Sequence, residues 1–305
     1  MLLSFSTILV NTLLFACPLL LLCTGGILNT RAGIVNFGFD GIMCTGAATY
    51  CIIVSQLKNN FGGGVAILAF FITIIIGIVF GLIHSLATLL FRTNQFLVSM
   101  VINYFGYGLA VILPLTFTGE INYSLASIYI YQFSWIAILV TFLAIYIFAA
   151  ILFLTKLGLY IRGIGENPTA VALNYIHVRR SRFYISLFSS SLACFSGALF
   201  VYVLPSTFIY SNNFAGIGFL AIALWMMAHS RFFLTSIICF IFSFLYQYIN
   251  ASQTFIVISN NIPSWLWGMF PYLIALVSLM IFRPNTELLK SWAQPYVKAG
   301  RKWLC

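Results

Sequence analysis

Charged residues are scarce in this sequence. They make up 6% of its 305 residues, whereas soluble domains carry about 25%. Hydrophobic residues make up 62%, and the mean hydropathy is +1.08. This composition excludes an ordinary soluble domain and indicates a membrane protein. Because the apolar stretches are continuous rather than alternating, they predict spanning helices and not a barrel of strands.

The sequence also lacks the motifs of common enzymes and metal sites. Its seven cysteines contain no CxxC pair and no Cys/His spacing typical of a metal site. His84, His177 and His229 are dispersed, and we expect each to be structural. There is no Walker A motif and no GxSxG nucleophile elbow. The sequence therefore predicts no catalytic residue, metal or cofactor on this chain.

Long apolar segments account for most of the chain and predict an all-α, polytopic membrane helix bundle of about nine spans. If residues 156–182 are cytoplasmic, only Lys58 of the fourteen Lys and Arg residues falls outside, as the positive-inside rule requires. Because the net charge of +10 follows this pattern, it does not favour nucleic-acid binding. We expect the N-terminus outside, the C-terminus in the cytoplasm, a transmembrane domain over 1–285 and a basic tail over 286–305. The predicted spans are residues 2–28, 33–54, 64–90, 95–115, 134–155, 183–204, 214–230, 232–250 and 264–283.

The second predicted span carries an unusual set of polar residues. Asn36 and Asp40 are four residues apart, so on a helix they share one face. A charged group at the bilayer centre costs about 2.5 to 3.5 kcal/mol, so Asp40 should face the bundle interior, water or the cytoplasmic interface. Two interpretations stay open, a polar lining for a permeation path or a hydrogen-bond clasp near the cytoplasmic mouth. The same two interpretations, path lining or clasp, apply to Asn103. The aromatic ring of Phe37 could stack on a base.

Glycine pairs mark two further segments. Gly77 and Gly81 form a GxxxG motif in the third span, which predicts close helix packing within the chain. Gly216 and Gly218 predict a break or bend in the seventh span.

Residues 156–182 form the only long polar interruption and hold five of the fourteen basic residues. Asn167 suits an N-cap, and Pro168 suits the first turn of a helix. We expect mobile glycines at 163 and 165, followed by a short helix over 169–176 that acts as a lever for a cytosolic partner. The alternative is a solvated loop anchored by its positive charges.

Several motifs resemble one transporter superfamily. Arg162-Gly-Ile-Gly165-Glu166-Asn167-Pro168-Thr-Ala170 with Ile176-His-Val178 resembles the coupling-loop signature of ABC importer permeases for branched-chain amino acids, ribose and simple sugars. Gly33-Ile-Val-Asn36-Phe-Gly38-Phe-Asp40-Gly41 resembles the pattern GVVNIGLEG of the nucleoside permease branch, with Asp in place of Glu. Ser196-Gly-Ala-Leu199 and Gly216-Ile-Gly-Phe-Leu-Ala-Ile-Ala223 resemble the motifs that follow. The similarity covers residues 25–230.

The resemblance implies a permease subunit in a bacterial cytoplasmic (inner) membrane. Its implied partners are a second, paralogous permease, a cytosolic subunit that binds ATP and Mg, and an extracytoplasmic substrate-binding lipoprotein. The short helix after the Glu-Asn-Pro element is implied to dock on the ATPase. The implied coupling residues are Gly165, Glu166, Asn167, Pro168, Ala170, Ala172 and Tyr175.

We therefore expect this chain to form half of an ATP-driven import path for nucleosides, with purine nucleosides favoured. Simple sugars or branched-chain amino acids are the alternative cargoes of the same machinery. A secondary transporter or channel that works without ATP is the alternative mechanism, although Asp40 is the only carboxylate in a predicted span. A membrane scaffold would not need a capped lever helix.

Overall fold

The computed structural model of the chain describes residues 5–61, 64–119, 135–173, 177–203, 216–255 and 264–281. Within these ranges the chain is helical, without a strand. The helices are α1 (Phe5–Arg31), α2 (Phe39–Phe61), α3 (Val65–Ser85, extended by a wider π turn over Leu86–Leu90), α4 (Gln95–Thr118), α5 (Trp135–Leu154), α6 (Lys156–Glu166), α7 (Pro168–Leu173), α8 (Val178–Val203), α9 (Ile217–Met227), α10 (Phe232–Phe255) and α11 (Ser264–Ile281).

Several helices are long and apolar enough to cross a membrane, so the prediction of an all-α, polytopic bundle is confirmed at that level. A sixth crossing is possible if α5 and α6, which meet at a bend of 59°, form one broken span. The count of nine spans and the orientation of the termini stay predictions. The five candidate spans among the described residues are Thr7–Arg31, Val65–Leu90, Gln95–Phe117, Val178–Val203 and Phe232–Ile249.

Helices α1 and α8 form the centre of the bundle. Of the most apolar stretch in each, 72% of the residues are buried, against 28% for α3, α4 and α10. Glycines bring α2 and α8 into direct backbone contact. A Cβ at Gly46 would collide with the carbonyl oxygen of Cys194, and one at Gly197 would collide with that of Met43. Small residues at crossings allow such close packing in membranes.

The GxxxG motif of α3 packs against α8. A Cβ at Gly77 would lie 2.6 Å from Cα of Ser191, and one at Gly81 would lie 2.7 Å from Cα of Leu187. Neither glycine has room for a side chain. The predicted use of this motif for packing within the chain is therefore confirmed.

The predicted start of the second span is wrong. Helix α1 ends at Arg31, and α2 begins only at Phe39, after a non-helical segment of residues 32–38 that we call the linker. Asn36 lies in the linker and Asp40 in the first turn of α2, so they do not share a helix face.

A local motif ends α1. Gly33 has φ of 77° and donates its N–H to the carbonyl of Thr30 at 3.0 Å, while Ile34 donates to the carbonyl of Asn29 at 2.9 Å. This is the Schellman arrangement, in which glycine takes the left-handed position after a helix. The first residue of the span predicted over 33–54 is therefore the residue that stops the preceding helix.

The polar stretch 156–182 is also more helical than predicted. Gly163 and Gly165 lie inside α6 rather than in a mobile loop. Helix α7 starts at Pro168, as predicted, and is described to Leu173. Tyr175 and the rest of the helix predicted over 169–176 lie outside the described residues, as does the tail 286–305.

Candidate translocation site and coupling helix

The linker is non-helical backbone buried inside the bundle. Six of its seven residues are buried, with Phe37 half-buried. Its central residue, Val35, donates its N–H to Oε1 of Gln95 at 2.8 Å, and its carbonyl contacts Nε2 of His84 at 3.2 Å. Side chains of α3 and α4 thus supply partners for the two backbone groups of Val35, which have no helical partner. Irregular backbone at membrane depth requires such cover.

His84 contacts α8 as well as the linker. Its second ring nitrogen, Nδ1, lies 3.3 Å from the hydroxyl of Ser186 on α8. The buried imidazole therefore joins α3, the linker and α8, which agrees with the structural role expected for it.

Asp40 is fully buried, with 0% of its surface exposed. Its carboxylate accepts the N–H of Gly216 at 2.9 Å and that of Gly218 at 2.6 Å, and it also accepts the hydroxyl of Tyr107. Gly216 has φ of 98° and directly precedes α9. Asp40 therefore caps the N-terminus of α9 from another helix, where the positive end of the helix dipole favours a carboxylate.

The close contact of α2 with α9 requires glycine. A Cβ at Gly218 would collide with the backbone of Asp40. Helix α9 has 11 residues, so it measures roughly 16 Å, about half of the hydrocarbon layer. Helix α9 begins directly after Gly216, and because residues 204–215 lie outside the described ranges, the break predicted in the seventh span stays a prediction.

Asn103 joins α4 to α2. Its Oδ1 accepts the N–H of Gly41 at 2.6 Å. Thr45 adds a second link, because its hydroxyl lies 2.8 Å from the carbonyl of Gly41 and 3.0 Å from that of Gly106. The predicted pair of Asp40 and Asn103 is thus brought to one end of α2, where both bind backbone groups.

Phe37 and Asn36 lie in the linker, just before α2. The Phe37 ring lies 5.5 Å from that of Phe96. Asn36 Oδ1 accepts the N–H of Gly38 at 2.8 Å. Both side chains line a narrow crevice between the linker, α1 and α9, which also includes Asn29.

Sequence reasoning missed the partners that complete this site. Gln95 and Tyr107 were not singled out, although each is a polar group in or beside an apolar helix. Asn29 was missed as well, although a carboxamide eight residues before Phe37 in an apolar run is a visible signal. Polar side chains inside spans are candidates for functional roles by default.

Helix α7 begins at Pro168, as the sequence predicts. Asn167 Oδ1 accepts the N–H of Ala170 at 3.1 Å and the hydroxyl of Thr169 at 2.6 Å, so Asn167 is the N-cap. Ala170 is exposed, and Leu173 at the other end is 82% exposed. Among the other predicted coupling residues Glu166 is exposed, Pro168 and Ala172 are half-buried, and Gly165 is buried.

Helix α6 connects α7 to α8, a helix at the centre of the bundle. Arg182 of α8 is 0% exposed, and its Nη2 lies 3.5 Å from the carbonyl oxygen of Ile164. The hydroxyls of Tyr160 and Ser181 lie 3.0 Å apart. Helix α7 is therefore connected to α8 through the contacts of α6.

The cytoplasmic ends predicted for α1 and α9 meet at Arg31. Its Nε donates to the carbonyl of Ser230 at 2.8 Å, and its guanidinium lies 5.3 Å from the ring centroid of Phe153. The ends of α1 and α9 and the end of α5 thus lie side by side. Asp40 lies at the opposite end of α9, roughly 16 Å away.

Interrupted helices that meet at a buried polar centre, with an exposed helix attached to the core, are typical of membrane transport proteins. Comparison with known families agrees with this class. Residues 8–279 match the model of the family described as branched-chain amino acid transport system / permease component. The chain belongs to this family.

Relatives match over almost the whole chain. It is 26% identical over 320 residues to the guanosine ABC transporter permease protein NupQ of Bacillus subtilis (strain 168), covering 97% of this chain and 98% of the relative. It is 28% identical over 316 residues to the nucleoside ABC transporter permease protein NupC of Lactococcus lactis subsp. cremoris (strain MG1363), covering 96% and 97%. An uncharacterized protein of Mycoplasma genitalium, MG121, is 25% identical over 282 residues, covering 88% and 90%. No solved structure matches the chain significantly.

Proposed function

We propose that this chain is a permease subunit of an ATP-driven ABC importer for nucleosides, with purine nucleosides as the favoured cargo. The family match and two relatives named as guanosine and nucleoside permeases support the cargo. A separate chain binds and hydrolyses ATP with Mg, and this chain carries no catalytic residue.

The observation that carries the coupling role is the capped, exposed helix α7. A helix of six residues is too short to be stable alone, yet α7 has a side-chain cap at Asn167 and a link to α8 through α6. Its last described residue, Leu173, is 82% exposed. Such an apolar end on a charged, cytoplasmic side is suited to a groove on a partner. The partner in this proposal is the ATPase.

The translocation path in this proposal runs beside the linker and the N-terminus of α9. Asp40 and Asn103 act as the clasp that holds these elements, because their oxygens are bonded to backbone N–H groups. Asn36 and Phe37 face the path. A second, paralogous permease completes the other half, and rocking of the two halves exposes the path to either side.

The topology in this proposal keeps the nine spans, with the N-terminus outside and the C-terminal tail inside. Positive-inside charge supports it, as do the helices present in every predicted segment. The protein then lies in a bacterial cytoplasmic membrane, with residues 1–285 as one transmembrane domain. An extracytoplasmic lipoprotein delivers the substrate.

Uptake of radiolabelled guanosine tests the function. Cells that lack their own copy of this chain are complemented with the wild-type chain or with the double variant Glu166→Ala/Pro168→Ala, and uptake is measured before and after ATP depletion. We expect ATP-dependent uptake with the wild-type chain and a loss of at least tenfold with the double variant. Uptake that persists without ATP would instead favour a secondary transporter or channel.

A further inference from the structure

Two buried asparagines face the crevice between α1, the linker and α9. Asn29 is 1% exposed and Asn36 is 4% exposed. Among the described residues no group hydrogen-bonds to Oδ1 or Nδ2 of Asn29, or to Nδ2 of Asn36. Both side chains lie in the same crevice. Burial of an amide without a partner disfavours the folded state, so this arrangement needs an explanation beyond packing.

The surroundings of these amides select the chemistry of a ligand. None of the ten described residues that line the crevice is charged, so an amino-acid zwitterion would lose its hydration there without a counter-charge. A carboxamide presents a donor and an acceptor side by side, which matches the edge of a nucleobase. The aromatic rings of Phe37, Phe39 and Trp225 also line the crevice, and such rings stack on bases.

Asp40 does not offer the same chemistry. Its two oxygens already accept three hydrogen bonds, from Gly216, Gly218 and Tyr107. The carboxylate of Asp40, which the sequence singles out, is therefore already engaged in hydrogen bonds within the protein. The amides of Asn29 and Asn36 are the nearby groups with hydrogen-bonding capacity left over.

We propose that this crevice is a base-recognition subsite, in which Asn29 and Asn36 bind the edge of a neutral heterocyclic base during import. The inference rests on the proposed function and adds the residues that recognise the transported nucleoside. The crevice is too narrow for a base in this conformation. Binding therefore requires α9 and the linker to separate, a movement that belongs to alternating access.

Two substitutions isolate the amides. Asn29→Leu removes the donor and the acceptor and keeps the branching and the number of heavy atoms of the side chain. Asn36→Asp keeps an oxygen for the N–H of Gly38, which lies 2.8 Å from Oδ1, and replaces the donor without a partner by a carboxylate oxygen that carries negative charge. The matched control is Ser243→Ala, because the Ser243 hydroxyl is also buried without a described partner but does not line the crevice.

The first measurement is the KM for guanosine uptake in complemented cells, corrected for the amount of each variant in the membrane. We expect Asn29→Leu to raise KM by about tenfold, the effect of one good hydrogen-bond pair. Ser243→Ala should leave KM unchanged. A wild-type KM in Asn29→Leu overturns the proposal, because the amides would then hold no more than a water molecule.

The second measurement does not depend on transport. Membranes that contain the chain and its partners are illuminated with 8-azidoguanosine, and the labelled peptides are sequenced. We expect labelling within residues 26–39 or 217–227 that Asn29→Leu weakens and Ser243→Ala retains. Labelling only elsewhere overturns the subsite. If the wild-type chain imports no nucleoside yet is labelled at the crevice, the proposed function fails while the subsite stands.

Discussion

The chain interrupts its apolar helices in two contrasting places, the linker and the pair α6–α7. The linker is buried, and both backbone groups of its central residue, Val35, contact side chains of other helices, Gln95 and His84. Helix α7 is exposed, and its cap bond is local, between Asn167 and Ala170. The linker thus depends on the whole bundle. The N-terminus of α7 is capped within its own segment, and its last described residue, Leu173, is 82% exposed.

The largest effect on stability is expected when the carboxylate of Asp40, two residues after the linker, is removed. Asp40→Ala leaves the N–H groups of Gly216 and Gly218 without their acceptor, so we expect unfolding free energy to fall by about 3 kcal/mol or more. Thermal unfolding of the purified chain in detergent measures this loss. Asp40→Asn, which keeps one oxygen, should lose less. Equal stability of Asp40→Ala and the wild type would mean that α9 is held by packing alone.

A smaller effect is expected where one hydrogen bond to the linker is removed. Gln95→Leu leaves the buried N–H of Val35 unpaired, which costs about 1 to 2 kcal/mol. The matched control is Gln56→Leu, because the exposed Gln56 also bonds a backbone group, the carbonyl of Phe117 at 2.7 Å. We expect that control to change the same unfolding measurement by less than about 0.5 kcal/mol. A reversed order would contradict the role given to the linker.

This contrast also separates what the sequence predicts from what it does not. The start of α7 is predicted correctly because Asn167 and Pro168 act on their immediate neighbours. The start of α2 is predicted wrongly because continuous hydropathy hides the linker. Gly33 is a local signal for the end of α1, but the acceptor for Val35 lies 60 residues away, at Gln95.

For the candidate site too, the sequence predicts some features and not others. Asp40 and Asn103 can be singled out because polar groups are rare in apolar segments. Their partners cannot be assigned from the sequence, since Gly218 lies 178 residues from Asp40. The small residues at these contacts predict close packing, but which helices pack together follows from the tertiary fold.

At α7 a change should affect transport more than stability. Asn167→Ala removes the cap and costs the helix about 1 kcal/mol. Because α7 lies outside the buried core, we expect global unfolding to be unchanged while ATP-dependent guanosine uptake falls several-fold. Asn167→Asp retains an acceptor for the N–H of Ala170 and should keep most of the uptake. A loss of global stability in Asn167→Ala would mean that α7 stabilises the buried core. It would contradict the difference drawn here between α7 and the linker.

The smallest expected effect on the chain itself comes from Leu173, the most exposed large hydrophobic residue in the described part of the chain. Leu173 is 82% exposed, so Leu173→Ser should change unfolding free energy by less than about 0.5 kcal/mol. If α7 docks in an ATPase groove, the same change removes apolar contact and lowers the amount of ATPase that copurifies with the chain. Leu159→Ser, on α6 and also strongly exposed, is the control. Equal loss of ATPase from both variants would mean that exposed apolar area in general, and not α7, holds the complex together.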